Sequence, residues 1–356
     1  MKGLLLAGGK GTRLRPLTST DNKHMIPIAN KPMIFYGLNQ LIKAGIDDIA
    51  IVVGPHPKGI RESVGNGSKF NIKIEYINQP DPKGLADAVK LAEEFIGSDP
   101  FIMYLGDILM KEGLTPIISR YHNDSSDCVI CVSNVSDPSN YGVVELNSSG
   151  EIIKLIEKPT KPKSNLALAG IYLFTSSIFK AVKSIQPSWR NEFEITDAIQ
   201  YLVENNKKIS IHKTNGWWKD TGKPKDLLEA NQLILESIET KIEIETDPTC
   251  DLIGNIIINE NTTIYPNSKL RGPIIIGKNC KIGPNVYIGP YTSIGDNTII
   301  ESGEIESSIV MDNVYLNSKK RIVESLISRN SKIESSLDNL PTGLKLIVGE
   351  NSYCRI

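Results

Sequence analysis

The sequence contains no apolar run long enough to span a membrane. Its first apolar stretch, residues 3–7, is also too short for the hydrophobic core of a signal peptide, so we expect a cytoplasmic protein. The formal net charge is only −1, which excludes an overall field that would attract nucleic acid or an anionic membrane. Any phosphate binding must therefore come from a local arrangement of residues.

Cysteine is scarce, and its placement excludes a zinc site. The five cysteines are Cys128, Cys131, Cys250, Cys280 and Cys354. The first two form a lone C-x-x-C inside a predicted buried strand, with no second pair and no histidine nearby. We expect both to be structural, and the odd, scattered set fits reduced thiols in a reducing compartment.

The glycine-rich stretch at residues 8–18 matches neither of two familiar nucleotide-binding loops. No Lys-Ser or Lys-Thr follows its glycines, as G-x-x-x-x-G-K-[ST] requires, and Leu14 stands where G-x-G-x-x-G has its third glycine. The stretch nevertheless follows a short apolar strand, an arrangement that brings backbone N–H groups close to phosphates. Arg13 adds a cation that can hold phosphate oxygens in a bidentate fork. We interpret this loop as a phosphate-binding site of another type.

The 356 residues exceed what one core usually organises, so we predict two domains. Residues 1–240 alternate short apolar strands with helical patterns, which predicts an α/β fold with a Rossmann-like mixed sheet. Within it we predict a hairpin over 141–159, and a long helix over 225–241 at its end. Residues 241–249 are assigned as a linker and residues 250–356 as the second domain.

The second domain has a period of six residues. Aliphatic side chains recur without a slip at Ile258, Ile264, Leu270, Ile276, Ile282, Ile288, Ile294 and Ile300. This period fits neither an amphipathic helix nor a plain strand, and it resembles the hexapeptide repeat of left-handed parallel β-helices. The register breaks near residues 301–303 and resumes shifted at Val310, for which we expect an insertion at one corner.

Several motifs resemble those of the sugar-phosphate nucleotidyltransferases. Residues 8–18 read G-G-x-G-T-R-L-x-P-L-T, and Lys23 precedes Pro27 and an N-K-P-M run as in the family's second motif. Further along, residues 79–88 resemble its base-recognition loop and residues 218–222 its W-x-D-T-G element. Y-G-V-V, E-K-P and A-G-[IL]-Y motifs begin at residues 141, 157 and 169. The resemblance covers essentially the whole chain and is nearest to the long-form glucose-1-phosphate thymidylyltransferases, which carry a C-terminal β-helix.

The resemblance implies a role for each matching residue. It makes Arg13 and Lys23 catalytic. The residues implied in nucleotide binding are Leu6, Gly8, Gly9, Gly11, Thr12, Gln79 and Gly84. The residues implied in sugar-phosphate binding are Gly142, Glu157, Lys158 and Gly170. The pair implied in holding Mg²⁺ is Asp107 and Asp220. Ile108 replaces the asparagine of the family's G-D-N motif, and Asp87 stands where several relatives have glutamine or histidine, so neither receives a role.

The activity implied is a Mg²⁺-dependent condensation of dTTP with α-D-glucose 1-phosphate to give dTDP-glucose and diphosphate. A sugar-phosphate oxygen attacks the α-phosphorus in line, and no covalent nucleophile is needed. Gln79 offers one donor and one acceptor, which suits the N3–H and O4 edge of a pyrimidine base. We expect small-molecule substrates, neither nucleic acid nor membrane as a partner, and a homo-oligomer. The β-helix would be structural, an oligomer contact or a regulatory surface, since flat β-helix faces can pack on copies of themselves.

Three alternatives stay open. UTP or another hexose 1-phosphate would use the same chemistry, because Gln79 reads an edge that thymine and uracil share. A bifunctional enzyme whose β-helix transfers an acyl group would need a histidine base, and all four histidines precede the repeats. A non-catalytic subunit should have lost Arg13, Lys23 or the aspartates. Nucleotide preference, the exact sugar, the role of the β-helix, subunit number, feedback regulation and the pathway are not readable from the sequence.

Overall fold

The computed structural model describes residues 1–19 and 21–335, so the end of the predicted second domain, with Cys354, lies outside the described residues. The strands of the first part are β1 (Lys2–Ala7), β2 (Pro27–Ile28), β3 (Lys31–Pro32), β4 (Asp48–Val53), β5 (Lys73–Asn78), β6 (Phe101–Leu105), β7 (Ile108–Met110), β8 (Cys128–Asn134), β9 (Gly142–Leu146), β10 (Ile152–Glu157), β11 (Leu166–Phe174), β12 (Ile209–Lys213) and β13 (Trp218–Asp220). The α-helices are α1 (Ile34–Lys43), α2 (Lys58–Val64), α3 (Leu85–Leu91), α4 (Glu93–Ile96), α5 (Thr115–Asp124), α6 (Ser177–Ser184), α7 (Ile195–Glu204) and α8 (Pro224–Leu235).

A nine-stranded mixed sheet organises the first part of the chain. Its main order is β10-β9-β11-β6-β1-β4-β5, with β8 and β12 joined beside β11. Strands β6, β1, β4 and β5 are parallel, whereas β11 runs antiparallel to β6. The α/β fold with a mixed sheet is therefore confirmed. Since β1 is central, the glycine-rich loop begins at the carboxyl edge of the parallel strands, where such sheets bind ligands.

Apolar side chains on both faces of this sheet form two separate cores. One core packs against α3, α6 and α7, and the other against α1, α2 and α5. Residues 4–7 of β1 are almost fully buried because both faces are covered. The thiols of Cys128 and Cys131 are buried in β8, and burial raises the pKa of both, which agrees with a structural role.

Two local predictions have different outcomes. The hairpin over 141–159 is confirmed, since β9 and β10 pair antiparallel around the turn at 147–150. The long helix predicted over 225–241 is wrong in its extent, because α8 ends at Leu235. The chain then turns and forms β14 (Lys241–Ile242), which pairs with residues 257–258 within the segment assigned as a linker. Among the described residues, no helix has both the length and the apolar character needed to cross a membrane.

Three parallel sheets form the β-helix. Its strands are β14, β15 (Asp251–Ile253), β16 (Ile256–Ile258), β17 (Thr263–Ile264), β18 (Lys269–Arg271), β19 (Ile274–Ile276), β20 (Lys281–Ile282), β21 (Tyr287–Ile288), β22 (Thr292–Ile294), β23 (Ile299–Ser302), β24 (Glu304–Glu306), β25 (Ile309–Val310), β26 (Tyr315–Asn317), β27 (Ile322–Val323), β28 (Leu326–Ile327) and β29 (Lys332–Glu334). From β15 onwards every third strand joins the same sheet, and β14 pairs with β16 at the start of one of the three. The period-six aliphatic residues fill the interior, as the predicted left-handed β-helix requires.

The expected corner insertion after Ile300 is wrong, because the coils become shorter there. Ile282 stacks on Ile300, eighteen residues further on. Ile294 stacks on Val310, only sixteen residues further on. Ile305, which is fully buried, takes the inward position that the sequence analysis left unassigned. Two corners have each lost one residue, so the interior remains filled while the period changes.

By their contacts, the described residues fall into two compact units. One comprises residues 1–11, 21–25 and 33–220. The other comprises residues 12–19, 26–32 and 221–335, so it includes α8, the β-helix and two segments from the start of the chain.

Within the second unit, the hairpin of β2 and β3 is anchored on the β-helix by Asn231. This side chain is fully buried on α8, and its Oδ1 accepts hydrogen bonds from the Ala29 N–H at 2.8 Å and the Ser293 hydroxyl at 3.0 Å. Its Nδ2 donates to the Tyr291 carbonyl at 3.0 Å. Asn30, at the tip of the hairpin, donates from Nδ2 to the Ile294 carbonyl at 2.6 Å. The asparagine of the N-K-P run is thus a structural contact.

We expect Asn231→Ala to destabilise the second unit by about 3 kcal/mol, because it leaves buried polar partners of Asn231 without hydrogen bonds. Urea unfolding measures this loss, and hydrogen exchange at the Ala29 amide reports whether the hairpin itself is released. Gln232→Ala is the matched control, since this neighbour is an exposed residue of the same helix. Equal stability of the two variants would contradict the anchoring role.

Candidate active site at the glycine-rich loop

Lys23 and Asp107 form the centre of the candidate site. Asp107 directly follows the Gly106 turn after β6, and its Oδ2 accepts a short hydrogen bond from the Lys23 ammonium. The two side chains are only 13% and 16% exposed. A Cβ at Gly9 would lie 3.2 Å from Lys23 Cε, so Gly9 leaves the space through which the lysine side chain passes. The structure thus brings a loop glycine, the predicted catalytic lysine and a predicted metal ligand together.

Two neighbours of Lys23 hold it in place, and the sequence analysis gave neither a role. Asn22 donates from Nδ2 to the Ala7 carbonyl at 3.0 Å, which ties the segment to the end of β1. Its Oδ1 accepts from the His24 backbone N–H at 3.0 Å and faces the imidazole Nδ1. Burial, with the Lys23 charge second, lowers the pKa of His24 to about 3, so the ring is neutral and Nδ1 carries the donated proton.

Asp107 is held as an anion. Burial alone would raise the pKa of this carboxyl, but the Lys23 ammonium, with smaller contributions from His24 and hydrogen bonds, keeps it below its usual range. An ionised carboxylate is the form that binds a divalent cation.

Asp220 lies beside Asp107 because β13 pairs with β7. In this antiparallel pair Asp220 is opposite Ile108, the residue after Asp107. Trp218 fixes the strand by donating from its indole Nε1 to the Ala169 carbonyl at 2.8 Å. Within the described residues no group of three or more Asp, Glu, His or Cys side chains forms a cation cage. Two carboxylates fit Mg²⁺ all the same, since this ion is bound by one or two carboxylates completed by water and substrate phosphates.

Gln79, the predicted base reader, is buried at the end of β5. Only 4% of it is exposed, and its backbone N–H donates to the Val53 carbonyl at 2.8 Å. Its Nε2 donates to Asp87 Oδ2 at 2.8 Å and to the Gly84 carbonyl at 3.2 Å. A Cβ at Gly8 would lie 3.0 Å from its Oε1. The amide donor is therefore engaged within the protein, whereas the acceptor faces the start of the glycine loop.

Gly84 is required by packing within the protein. Its φ is +106°, and a Cβ there would meet the Phe193 carbonyl oxygen at 2.4 Å. The Phe193 N–H donates to the Lys83 carbonyl at 2.7 Å, and its carbonyl accepts from the Ala86 N–H at 3.1 Å. These bonds tie the base loop to the segment before α7. Contact between Gly84 and a base stays a prediction.

The predicted sugar site surrounds Glu157 at the end of β10. A Cβ at Gly142 would lie 3.1 Å from Glu157 Oε2 and 2.6 Å from Thr196 Cγ2, so glycine leaves this carboxylate accessible. Lys158 Nζ lies 3.8 Å from Glu157 Oε1. Burial, and second the Glu194 carboxylate, raises the pKa of Glu157 to about 6 against the opposing effects of Lys158, Arg190 and the Thr196 hydrogen bond.

Arg190 lies at the predicted sugar site, and the sequence analysis above did not assign it. Its Nη1 lies 3.6 Å from Glu157 Oε1 and 3.2 Å from Glu194 Oε1, while Nη2 lies 3.0 Å from Glu192. Asn191, the next residue, has φ +59°, a left-handed conformation that asparagine tolerates. It allows the turn that presents Arg190. The two glutamates that follow Arg190, at 192 and 194, are the sequence signal that could have indicated a charged cluster here.

The remaining predicted residues lie apart from these contacts or shape the backbone. The Leu6 side chain is buried in the core, and its carbonyl accepts from the Gly106 N–H at 2.9 Å. Gly170 has φ +77° and packs on Leu105 and Ile108. Gly11 has φ +63°, while Thr12 and Arg13 are exposed on a 3₁₀ turn that belongs to the second unit.

Glu157→Gln should stabilise the protein, because glutamine mimics the protonated acid and removes a buried charge. A native pKa of about 6 against 4.5 in the unfolded chain favours the protonated native state. The wild type thus keeps its full stability below pH 4.5 and loses about 2 kcal/mol as the pH rises through 6. Urea unfolding between pH 4.5 and 8 should show the variant gaining this difference, while Glu145→Gln in the same hairpin stays within about 0.5 kcal/mol of the wild type. A gain independent of pH would contradict the assignment.

Comparisons with known proteins agree with this geometry. Residues 2–237 match the nucleotidyl transferase family, and residues 270–339 match the GMPPB C-terminal domain. A glucose-1-phosphate thymidylyltransferase of Streptomyces antibioticus is 43% identical over 100% of this chain and 99% of its own length. The low-salt glycan biosynthesis nucleotidyltransferase Agl11 of Haloferax volcanii is 42% identical over the full length of both chains.

A solved structure shares the fold of about two thirds of this chain. The crystal structure of a glucose-1-phosphate thymidylyltransferase from Bacillus anthracis, described as putative and in complex with a sucrose, superposes with a TM-score of 0.63 at 34% identity. The match covers 68% of this chain and 97% of the solved one. The similarity thus extends from the sequence to the arrangement of the strands.

Proposed function

Because the chain belongs to the nucleotidyl transferase family, we propose that it transfers a thymidylyl group from dTTP to α-D-glucose 1-phosphate, with Mg²⁺, and releases diphosphate. The observation that carries the proposal is the Lys23–Asp107 pair against Gly9. It puts a cation and a metal-binding carboxylate beside the loop suited to phosphates. The full-length identity of 43% to a protein named for this reaction supports the choice of substrates.

In the proposed reaction the residues orient two anionic substrates and stabilise the charge that forms between them. A phosphate oxygen of glucose 1-phosphate forms a bond to the α-phosphorus of dTTP, and the bond from that phosphorus to the leaving diphosphate breaks. No proton has to move, since the attacking oxygen is already ionised. Lys23 stabilises negative charge on the α-phosphate, while Arg13 grips the triphosphate. Bound Mg²⁺ would neutralise phosphate charge beside Asp107 and Asp220.

The sugar is held by groups around Glu157. Its carboxyl group accepts hydrogen bonds from sugar hydroxyls, and the ionised form accepts them more strongly. Lys158 and Arg190 supply cations for the sugar phosphate, each within 4 Å of the same carboxylate. A charged, partly buried cluster of this kind fixes the incoming phosphate relative to the α-phosphorus, which is the main requirement of the reaction.

The test is a matrix of dTTP, UTP, ATP and GTP against glucose, galactose and mannose 1-phosphates, with and without Mg²⁺, read as diphosphate release. The proposal requires the highest kcat/KM with dTTP and glucose 1-phosphate and loss of activity without the metal. UTP as the preferred donor would change the substrate but keep the chemistry. Preference for ATP or GTP would overturn the role of Gln79.

We include self-association through the β-helix in the proposal. Ile253 and Val323 are 57% and 48% exposed on one sheet, which also presents Tyr287. Exposed aliphatic side chains on a flat sheet favour packing against a copy of the same surface. Light scattering coupled to gel filtration gives the number of subunits, and a monomer at all concentrations would contradict this part.

A further inference from the structure

The sequence analysis assigned no function to Asp87, yet within the described residues its side chain forms a hydrogen bond with Gln79 and with no other side chain. Its Oδ2 accepts a hydrogen bond from Gln79 Nε2 at 2.8 Å. It takes part in no ion pair within residues 1–19 and 21–335. Asp87 is in the first turn of α3, where a carboxylate also interacts favourably with the helix dipole. The helix dipole does not explain why Asp87 also accepts a hydrogen bond from Gln79.

The contacts around Gln79 determine which way its amide faces. Asp87 Oδ2 and the Gly84 carbonyl are both pure acceptors, and both lie on the same side of the amide. Only the NH₂ group can face two acceptors, and its two hydrogens are then both used. A flipped amide would put its carbonyl oxygen against a carboxylate and a carbonyl, which is a strong repulsion. The orientation therefore follows from the partners themselves.

This orientation leaves Gln79 with one group to offer a ligand, its carbonyl oxygen. That oxygen faces Gly8, where the missing side chain leaves room beside the glycine loop. Gln79 thus cannot provide the donor that the sequence analysis expected for O4 of a pyrimidine. It reads the base through an acceptor alone, and the matching group is a ring N–H such as N3–H of thymine or uracil. Cytosine presents a lone pair at N3 and is repelled.

We propose that Asp87 is a positioning residue that sets base specificity by fixing the Gln79 amide as an obligate acceptor. The proposal rests on the proposed pyrimidine-nucleotide function and deepens it. Asp87 acts through Gln79 and touches no substrate. A buried polar group with a fixed orientation discriminates strongly between ligands. Here cytosine would place the lone pair of its N3 against the carbonyl oxygen of Gln79.

The experiment compares Asp87→Asn with the wild type using dTTP, UTP and dCTP. Asparagine has the same shape as aspartate, but its NH₂ group can donate a hydrogen bond to Gln79 Oε1. In the variant, only the Gly84 carbonyl then disfavours the flipped orientation of the Gln79 amide. We expect the wild type to prefer dTTP over dCTP by at least about a hundredfold in kcat/KM. In the variant this preference should be about tenfold smaller. The ratio of dTTP to UTP should not change, since both bases carry N3–H.

Asp81→Asn is the matched control, because Asp81 is an exposed residue of the same loop. It removes one negative charge from the same loop, so any electrostatic change in KM applies to all nucleotides alike and leaves the ratio within about twofold of the wild type. Melting temperatures of both variants show whether Asp87 acts only on α3. Asp87→Ala, which also removes the acceptor, serves as the second variant should the asparagine protein unfold.

The outcomes separate the two proposals. A wild type active with dTTP but a variant that keeps the full preference against dCTP would overturn the role of Asp87 and leave the proposed function intact. A lower melting temperature with unchanged selectivity would do the same and assign Asp87 to helix stability. A wild type that uses neither dTTP nor UTP would overturn both.

Discussion

Lys23→Met should lower kcat at least about a thousandfold while the protein stays folded. The substitution removes the ammonium that we propose stabilises charge on the α-phosphate, a loss that would act mainly in the transition state. Methionine keeps an unbranched apolar stem, so it still fits the space that Gly9 leaves open. Steady-state rates of diphosphate release give kcat, and circular dichroism checks the fold.

The control for this prediction is Lys31→Met, in the N-K-P run that follows. Lys31 lies on β3 of the hairpin that Asn231 anchors, and we place it outside the chemistry. Its variant should keep kcat within about twofold of the wild type. Lys23→Arg keeps the charge but is bulkier next to Gly9, so it should recover only part of the rate. A methionine variant within tenfold of the wild type would remove Lys23 from the mechanism.

Asp107→Asn and Asp220→Asn should each lower kcat/KM by about a thousandfold and raise the Mg²⁺ concentration needed for half-maximal rate. An amide keeps the shape of each side chain but loses the negative charge that attracts a cation. Because Asp220 lies opposite Ile108, the residue after Asp107, in the β7–β13 pair, the two aspartates should act as one site. The kcat/KM of the double variant should therefore be at most about tenfold lower than that of either single variant.

Titrating Mg²⁺ against the rate of each variant measures this effect. Asp81→Asn again serves as the control and should keep the wild-type Mg²⁺ dependence. The two aspartates differ in one respect, since Asp107 also forms an ion pair with Lys23. Fully additive losses in the double variant would show that the carboxylates do not share a metal ion.

Much of the site follows from short sequence motifs because backbone geometry is local. The glycine loop and the aspartate after β6 could be placed at strand ends from the pattern of apolar runs, whereas Glu157, at the end of β10, was indicated by a short family motif. The sheet order then brings β1 and β6 side by side. Lys23 and Asp107, 84 residues apart, meet as a consequence of that order.

Other features of the site are invisible to such motifs. Nothing in the run of residues 79–88 shows that Gln79 turns its NH₂ group towards Asp87, because a side-chain torsion decides it. Arg190 reaches Glu157 only since the segment before α7 packs beside the β9–β10 hairpin. The helix predicted over 225–241 was too long for a similar reason, as pairing of β14 with β16 overrides helix propensity there.

The sequence by itself determined the two kinds of architecture, since alternating strands and helices and a period of six are each written in residue spacing. It also determined which chemical groups are present: a phosphate loop, a lysine, two aspartates and a glutamine. The tertiary structure alone decided the coil shortening after Ile300, the anchoring of the β2–β3 hairpin on Asn231 and the direction of the Gln79 amide. Each depends on buried hydrogen bonds or packing between distant residues, whose energies no local pattern encodes.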